Sequence, residues 1–143
     1  MVSGNCPIGK IVEVPISFED NLRMREVLKR YQNKIGTIGY AVGIHPLKVG
    51  DMKIKDYYEK LSKIADLPNT VAVGETGLDF YRVKLSEKDK REVQLEWFQL
   101  FSWIAQRKNL PLILHIRGER GDKTAYEAYE LLRFVSRGKD ENR

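Results

Sequence analysis

The 143-residue sequence has one cysteine and two histidines, and it lacks any long hydrophobic run. The single cysteine, Cys6, excludes an internal disulfide and a cluster of thiolate metal ligands. Apolar stretches such as 40–44 and 110–114 are much shorter than the roughly 18 residues that a membrane-spanning helix needs. The N-terminus also lacks the basic and apolar regions of a secretory signal. We therefore expect no membrane partner and a cytoplasmic location, or a nuclear one in a eukaryote.

The charge balance is weakly basic. Lys and Arg number 25 against 20 Asp and Glu, which gives a net charge of +5. Apolar residues make up 42% and charged residues 31%, so the composition excludes a disordered polyelectrolyte and allows a buried core. The basic residues form no long run, and the segment 119–143 holds six basic and six acidic residues. The net charge alone is typical of a solvated surface rather than of a nucleic-acid footprint.

Four strand-like segments alternate with four helix-like segments along the chain. The predicted strands cover 9–17, 35–44, 70–73 and 110–116, and apolar residues at helical spacing follow each of them. Strands that are apolar on both faces indicate a parallel sheet covered by helices, so the fold class is α/β. An eight-unit barrel needs about 250 residues, so four units form either an open sheet or part of a barrel.

Local signals refine the helices. Asp20 or Asn21 is predicted to cap the first helix and Asp122 the fourth, while Ser86 with Asp89 resembles a capping box for the third. The third helix carries an aromatic stripe, which we interpret as core packing rather than a stacking platform for bases. Its members are Trp97, Phe98 and Phe101.

Both histidines follow predicted strands, at the edge where parallel sheets bind ligands. His45 ends the second strand and His115 the fourth, while Glu75 follows the third. Carboxylate oxygen and imidazole nitrogen together suit a divalent cation such as zinc, manganese or magnesium. The alternatives are a salt-bridging Glu75, a hydrogen-bonded core His115 and a turn His45. Because tetrahedral zinc needs four donors, further ligands would come from carboxylates, water or another polypeptide.

Two glycines and two arginines lie near the same strand ends. Gly74 and Gly77 allow a close backbone approach or an ordinary turn, and their spacing matches no phosphate loop. Arg82 and Arg117 can bind phosphate oxygens through paired N–H groups. Ion pairs with nearby carboxylates, from Asp79 or Glu119, are the alternative.

Four segments follow one another in a distinctive order. They are Ala-Val-Gly-Ile-His-Pro at 41–46, Val-Ala-Val-Gly-Glu-Thr-Gly-Leu-Asp-Phe-Tyr-Arg at 71–82, Gln94 with Phe98, and Asn-Leu-Pro-Leu-Ile-Leu-His-Ile-Arg at 109–117. Together they resemble the TatD family of metal-dependent deoxyribonucleases. The match extends from about residue 9 to 135, and its most specific element is Gly-Glu-x-Gly-Leu-Asp.

The resemblance implies a TIM-barrel hydrolase of the amidohydrolase type that cleaves phosphodiesters in DNA with one or two divalent cations (Mg, Mn or Zn). It implies that Glu75 is a catalytic carboxylate bridging the metals and that His115 is a metal ligand. His45, as a second catalytic residue, would face substrate phosphate. Arg82 and Arg117 would bind substrate, and Asp79 at the substrate side would orient its neighbours.

The sequence departs from the family pattern in three ways. No histidine precedes His45, where the family begins with a strand bearing His-x-His, and the family's later histidine and aspartate have no counterpart here. Ile116 replaces a serine that is usual in relatives. The four units therefore resemble strands two to five of eight, which makes residues 1–143 a single incomplete barrel domain with a short polar tail at 138–143.

An incomplete barrel leaves two open sheet edges, which favour pairing with another polypeptide. We expect self-association or binding to a full-length relative, and weak or absent turnover by this chain alone. The alternative function is a non-catalytic interaction or regulatory fragment of a TatD-like protein. A third candidate is hydrolysis of a small phosphate or amide substrate, since one barrel fold hosts many reactions.

Overall fold

The computed structural model describes residues 10–31, 37–50, 52–83 and 87–137. Four β-strands alternate with four α-helices in this part of the chain. In chain order the elements are β1 (Lys10–Glu13), α1 (Phe18–Tyr31), β2 (Thr37–Val42), α2 (Ile54–Ala65), β3 (Thr70–Asp79), α3 (Lys88–Lys108), β4 (Leu112–Arg117) and α4 (Thr124–Arg137). A 3₁₀ turn, Pro46–Lys48, follows β2.

The strands form one parallel sheet in the order β1-β2-β3-β4. Each strand pairs with its neighbour in sequence, and the sheet curls into half of a barrel with helices packed on it. The predicted α/β class, with four consecutive parallel units of a partial TIM barrel, is confirmed. Among the described residues, no helix combines the length and the apolar character needed to cross a membrane.

The core lies between the sheet and its helices. Val42 and Val73, both fully buried, belong to one cluster with Trp97 and Phe101 of α3. Phe98 belongs to a second cluster nearer the ends of β3 and β4. The predicted core role of the aromatic stripe is confirmed, because all three of its rings are buried.

The start of α1 differs from the prediction. The helix begins at Phe18, so the capping residue is Ser17 rather than Asp20 or Asn21. The Ser17 hydroxyl accepts the Asp20 N–H at 3.1 Å, and the Asp20 carboxylate accepts the Ser17 N–H at 3.1 Å, which is a reciprocal capping box. Asn21 lies within the helix and is buried, and its side chain bonds to the backbone of Gly43, just after β2.

β3 is much longer than predicted, because it continues from Val73 to Asp79. The expected loop around Gly74 and Gly77 is part of this strand and pairs with β4. Both glycines have positive φ, and a Cβ on either would collide with a backbone carbonyl oxygen of β4. Only glycine permits this close approach of the two backbones.

Of the remaining local predictions, one concerns described residues and the others do not. Asp122 accepts hydrogen bonds from the backbone N–H and hydroxyl of Thr124 at the start of α4, as expected of a capping side chain. The Ser86 part of the capping box, Cys6 and the tail at 138–143 lie outside the described residues.

We predict that Asn21→Ala destabilises the fold by about 2–4 kcal/mol. The Asn21 amide donates to the Ser17 and Gly43 carbonyls at 2.7 Å, and its oxygen accepts the Gly43 N–H at 3.2 Å. Its loss leaves both backbone groups of Gly43 buried without these partners. Urea unfolding of the full chain measures the effect, and Arg23→Ala, an exposed position on α1, should change stability by less than about 0.5 kcal/mol. Equal effects of the two substitutions would contradict the assignment.

Candidate metal centre

Polar side chains from three strands meet at the carboxyl edge of the sheet. Glu75 and Asp79 come from β3, His115 comes from β4, and His45 follows β2 at the start of the 3₁₀ turn. Pairing of Gly77 with His115 sets the register that brings these side chains together. The structure thus gathers residues that are 70 positions apart in sequence.

His115 makes contacts through both ring nitrogens. Its Nδ1 lies 3.0 Å from Glu75 Oε1, and its Nε2 lies 3.0 Å from Asp79 Oδ2. The Asp79 side chain is 1% exposed, and its ionised carboxylate can only accept hydrogen bonds. Because Glu75 can accept a hydrogen bond as Asp79 does, the proton of neutral His115 is located by the group that faces Nδ1.

His45 is fixed in a different way. Its Nδ1 accepts the Leu47 N–H at 3.1 Å, so the proton of neutral His45 is on Nε2. That Nε2 lies 3.2 Å from His115 Nδ1, with the ring centroids 4.2 Å apart. His45 is therefore arranged as a hydrogen-bond donor toward His115 Nδ1, which leaves that nitrogen a lone pair and places the proton of neutral His115 on Nε2, toward Asp79.

Three candidate ligand atoms lie within 4.8 Å of one another, one each from His45, Glu75 and His115. The donor chemistry of Glu75 and His115 fits a divalent cation, since both present lone pairs at one point. His45 fits less well as a ligand, because coordination through Nε2 would require loss of its proton while Nδ1 still accepts from Leu47. Glu75 and His115 thus fit a cation better than His45, which lies beside them as a hydrogen-bond donor.

Asp79 is itself held on two sides. Its Oδ1 accepts the backbone N–H of Arg82 at 3.2 Å, and its own N–H donates to Gln94 Oε1 at 2.8 Å. Sequence reasoning noted Gln94 only within the family motif. A buried glutamine in the apolar stripe of α3 was the signal available, because such a side chain requires a hydrogen-bond partner.

Arg82 lies in the loop that follows β3, and Arg117 is the last residue of β4. The Arg117 guanidinium stacks on the Tyr81 ring, 4.3 Å from its centroid. Arg82 lines a cavity of about 320 Å³ together with Pro46 and Gln94. Within the described ranges neither arginine side chain forms a salt bridge with an acidic residue, so the alternative of structural ion pairs finds no support there.

The pKa of His45 lies below its ordinary value of 6.5. Burial is the main cause, because it disfavours the charged imidazolium, and the neighbouring His115 lowers the pKa further. Glu75 and Asp79 oppose this shift in part. The site therefore favours neutral His45.

Fold and site together define an α/β-barrel section with a candidate cation site at the carboxyl ends of its strands. The sequence model of the family described as TatD related DNase matches residues 6–139, and the chain belongs to this family. The chain is 31% identical over 104 residues to "Uncharacterized metal-dependent hydrolase YcfH" of Escherichia coli K12. It is 29% identical over 115 residues to "Uncharacterized metal-dependent hydrolase YabD" of Bacillus subtilis.

Solved structures agree with this assignment. A TatD family hydrolase from Entamoeba histolytica superposes with a TM-score of 0.72 at 25% identity, covering 90% of this chain and 41% of that protein. The TatD homologue YJJV of E. coli K12 gives 0.65 at 27% identity, covering 86% and 44%. YcfH is covered over 35% of its length by 73% of this chain, and YabD over 42% by 80%. The chain thus spans less than half the length of each of these relatives.

We predict that His45 makes the metal-free protein less stable as the pH falls below about 6.5. The unfolded chain takes up the His45 proton near that pH, whereas the folded chain does so only at lower pH. The stabilisation is therefore complete above pH 6.5 and is lost as the pH drops through the folded-state pKa. Urea midpoints of wild type and His45→Gln, both in EDTA, measure the difference in stability. A difference that stays constant between about pH 5 and 7.5 would contradict this.

Proposed function

We propose that the chain carries part of the metal centre of a hydrolase that cleaves phosphodiester bonds in DNA. The observation that carries this proposal is the 3.0 Å contact between His115 Nδ1 and Glu75 Oε1. With the Nε2 proton directed at Asp79, both contacting atoms present lone pairs. Such a contact is favourable only when a proton or a cation is shared between the two atoms. A divalent cation suits this pair of donors.

The relatives support hydrolysis. YcfH and YabD carry the name metal-dependent hydrolase, and the family is described as DNase-related. When bound, a divalent cation supplies positive charge that lowers the pKa of a coordinated water and neutralises phosphate oxygens. The carboxylate of Glu75 and the imidazole of His115 would hold it at the strand ends.

Three other side chains are suited to an anionic substrate. His45 is neutral and protonated on Nε2, and once a cation takes the His115 Nδ1 lone pair, that proton would be released to donate to a phosphate oxygen. Arg117, whose guanidinium lies over the Tyr81 ring, offers its N–H edge to another oxygen. Arg82, at the same end of β3, adds positive charge. Repeated phosphates along a strand of DNA match such an arrangement.

The described residues contribute too few donors for a complete tetrahedral site. Glu75 and His115 supply two of the four ligands that tetrahedral zinc requires, and water or further side chains supply the rest. Since this chain spans less than half the length of these relatives, other strands of a barrel are the natural source of those ligands. We expect this chain by itself to hydrolyse DNA very slowly.

We predict that Glu75→Gln and His115→Gln each weaken Mn²⁺ or Zn²⁺ binding by more than about 100-fold, the upper range for loss of an outer hydrogen-bond partner. Each substitution removes one of the two direct donors. Isothermal titration calorimetry of the full chain is the measurement. Glu96→Gln, an exposed carboxylate on α3, is the matched control and should bind as wild type does. Wild-type affinity in Glu75→Gln would refute the ligand assignment.

We predict that Arg82→Ala and Arg117→Ala each weaken binding of single-stranded DNA and reduce the slope of log affinity against log salt by about 1. Each arginine neutralises one phosphate in the proposed complex. Fluorescence anisotropy with a labelled oligonucleotide, in EDTA and at several salt concentrations, measures both quantities. Arg107→Ala is the control, because Arg107 is exposed in the last turn of α3, near the start of β4. If all three variants behave alike, the DNA surface lies elsewhere.

A further inference from the structure

Gln94 is a polar side chain on the buried, mostly aromatic face of α3. It is 3% exposed, and Trp97, Phe98 and Phe101 follow it on the same face of the helix. Burying an amide among apolar groups costs stability unless its hydrogen bonds are made. An apolar residue of similar size would therefore pack at least as well at this position. The helix gains nothing from a glutamine here unless the amide has a particular partner.

That partner is the backbone N–H of Asp79, which donates to Gln94 Oε1 at 2.8 Å. β2 pairs with β3 only as far as Val73, so β2 offers no acceptor to the last residues of β3. Asp79 is the final residue of β3 and is fully buried. Without Gln94 its N–H would lack this acceptor in a buried environment, and the strand end would have to shift to find another.

The position of the Asp79 backbone decides where its carboxylate lies. Oδ2 is 3.0 Å from Nε2 of His115, and Oδ1 accepts the Arg82 N–H. With Oδ2 as acceptor for Nε2–H and His45 as donor toward Nδ1, the His115 proton stays on Nε2 and Nδ1 is unprotonated toward Glu75. A hydrogen-bonded series therefore leads from α3 through the end of β3 to the ring on β4.

We propose that Gln94 is a positioning residue: by holding the end of β3 through the Asp79 N–H, it keeps His115 in the Nε2–H tautomer that leaves Nδ1 available to a cation. This inference rests on the metal site proposed above, but the tautomer exists without any metal. Outer partners of metal-binding histidines fix ring orientation in this way, and their loss costs about 10–100-fold in metal affinity.

The first measurement is the His115 tautomer in the metal-free full chain, observed by imidazole ¹H–¹⁵N correlation NMR. The chain has only two histidines, so a spectrum of His45→Gln assigns the signals. Wild type should carry the proton on Nε2 alone, Gln94→Leu should give a mixture of tautomers, and Gln94→Glu, which retains an oxygen acceptor, should restore the single form. Gln99→Leu, the same change elsewhere on α3, should resemble wild type.

The second measurement is Co²⁺ affinity by calorimetry, with the unfolding midpoint recorded for each variant. Gln94→Leu should lower affinity about 10–100-fold, and Gln94→Glu should recover most of it. A purely structural role predicts lower stability with an unchanged tautomer and unchanged affinity, and that result overturns the proposal. If wild type shows the single tautomer yet binds no Co²⁺, the metal function fails while the positioning role stands.

If Gln94→Leu does not fold, amide hydrogen exchange of the wild-type chain tests whether Gln94 holds the Asp79 N–H. The proposal requires the Asp79 amide to be protected as strongly as the β3 amides bonded to β4. Exchange of the Asp79 amide at the rate of an open loop overturns it.

Discussion

The imidazole of His115 is held from both sides, and the rest of the site depends on this pair of contacts. Asp79 accepts from one nitrogen, and Glu75 faces the other. The buried carboxylate of Asp79 accepts the Nε2 proton and the His45 donor faces Nδ1, so Nδ1 is left as a lone pair beside a second carboxylate. The two histidines have different partners: His115 presents Nδ1 toward Glu75, where we propose that a cation binds, and His45, whose Nδ1 is bonded to the Leu47 N–H, presents its Nε2 proton.

The contacts of His115 require the backbones of β3 and β4 to lie unusually close. Gly74 and Gly77 permit this, since a side chain at either position would collide with the neighbouring strand. Glycine ordinarily weakens a strand, because it contributes no side-chain packing and loses more conformational freedom on folding. Here the two glycines lie in a strand that α3 covers, and the aromatic side chains of α3 pack against that strand. Stability is thus supplied on the helix side of the sheet, and the strand ends carry the polar site.

The sequence was sufficient to predict the units of the fold and the edge where the site lies, because periodicity and parallel strand ends follow from local patterns. It was not sufficient for the capping of α1, where a reciprocal bond with Asp20 selected Ser17. The prediction also ended β3 at Val73, because the glycines that follow are typical of a turn. The pairing of this segment with β4 is a tertiary contact that the local pattern does not contain. The contact of Gln94 with Asp79 joins a helix to a strand end, and no spacing rule encodes it. Pairing of the sheet edges with another polypeptide stays a prediction.

The central claim is that Glu75 and His115 share one cation through Oε1 and Nδ1. Crystals of the full chain soaked in Zn²⁺, with diffraction recorded on both sides of the zinc absorption edge, test it most directly. The account predicts an anomalous peak within about 2.0–2.2 Å of both atoms, with His45 outside the coordination sphere. A zinc peak coordinated by His45 would contradict it. So would the absence of a peak between Glu75 and His115 in crystals where zinc fully occupies other sites.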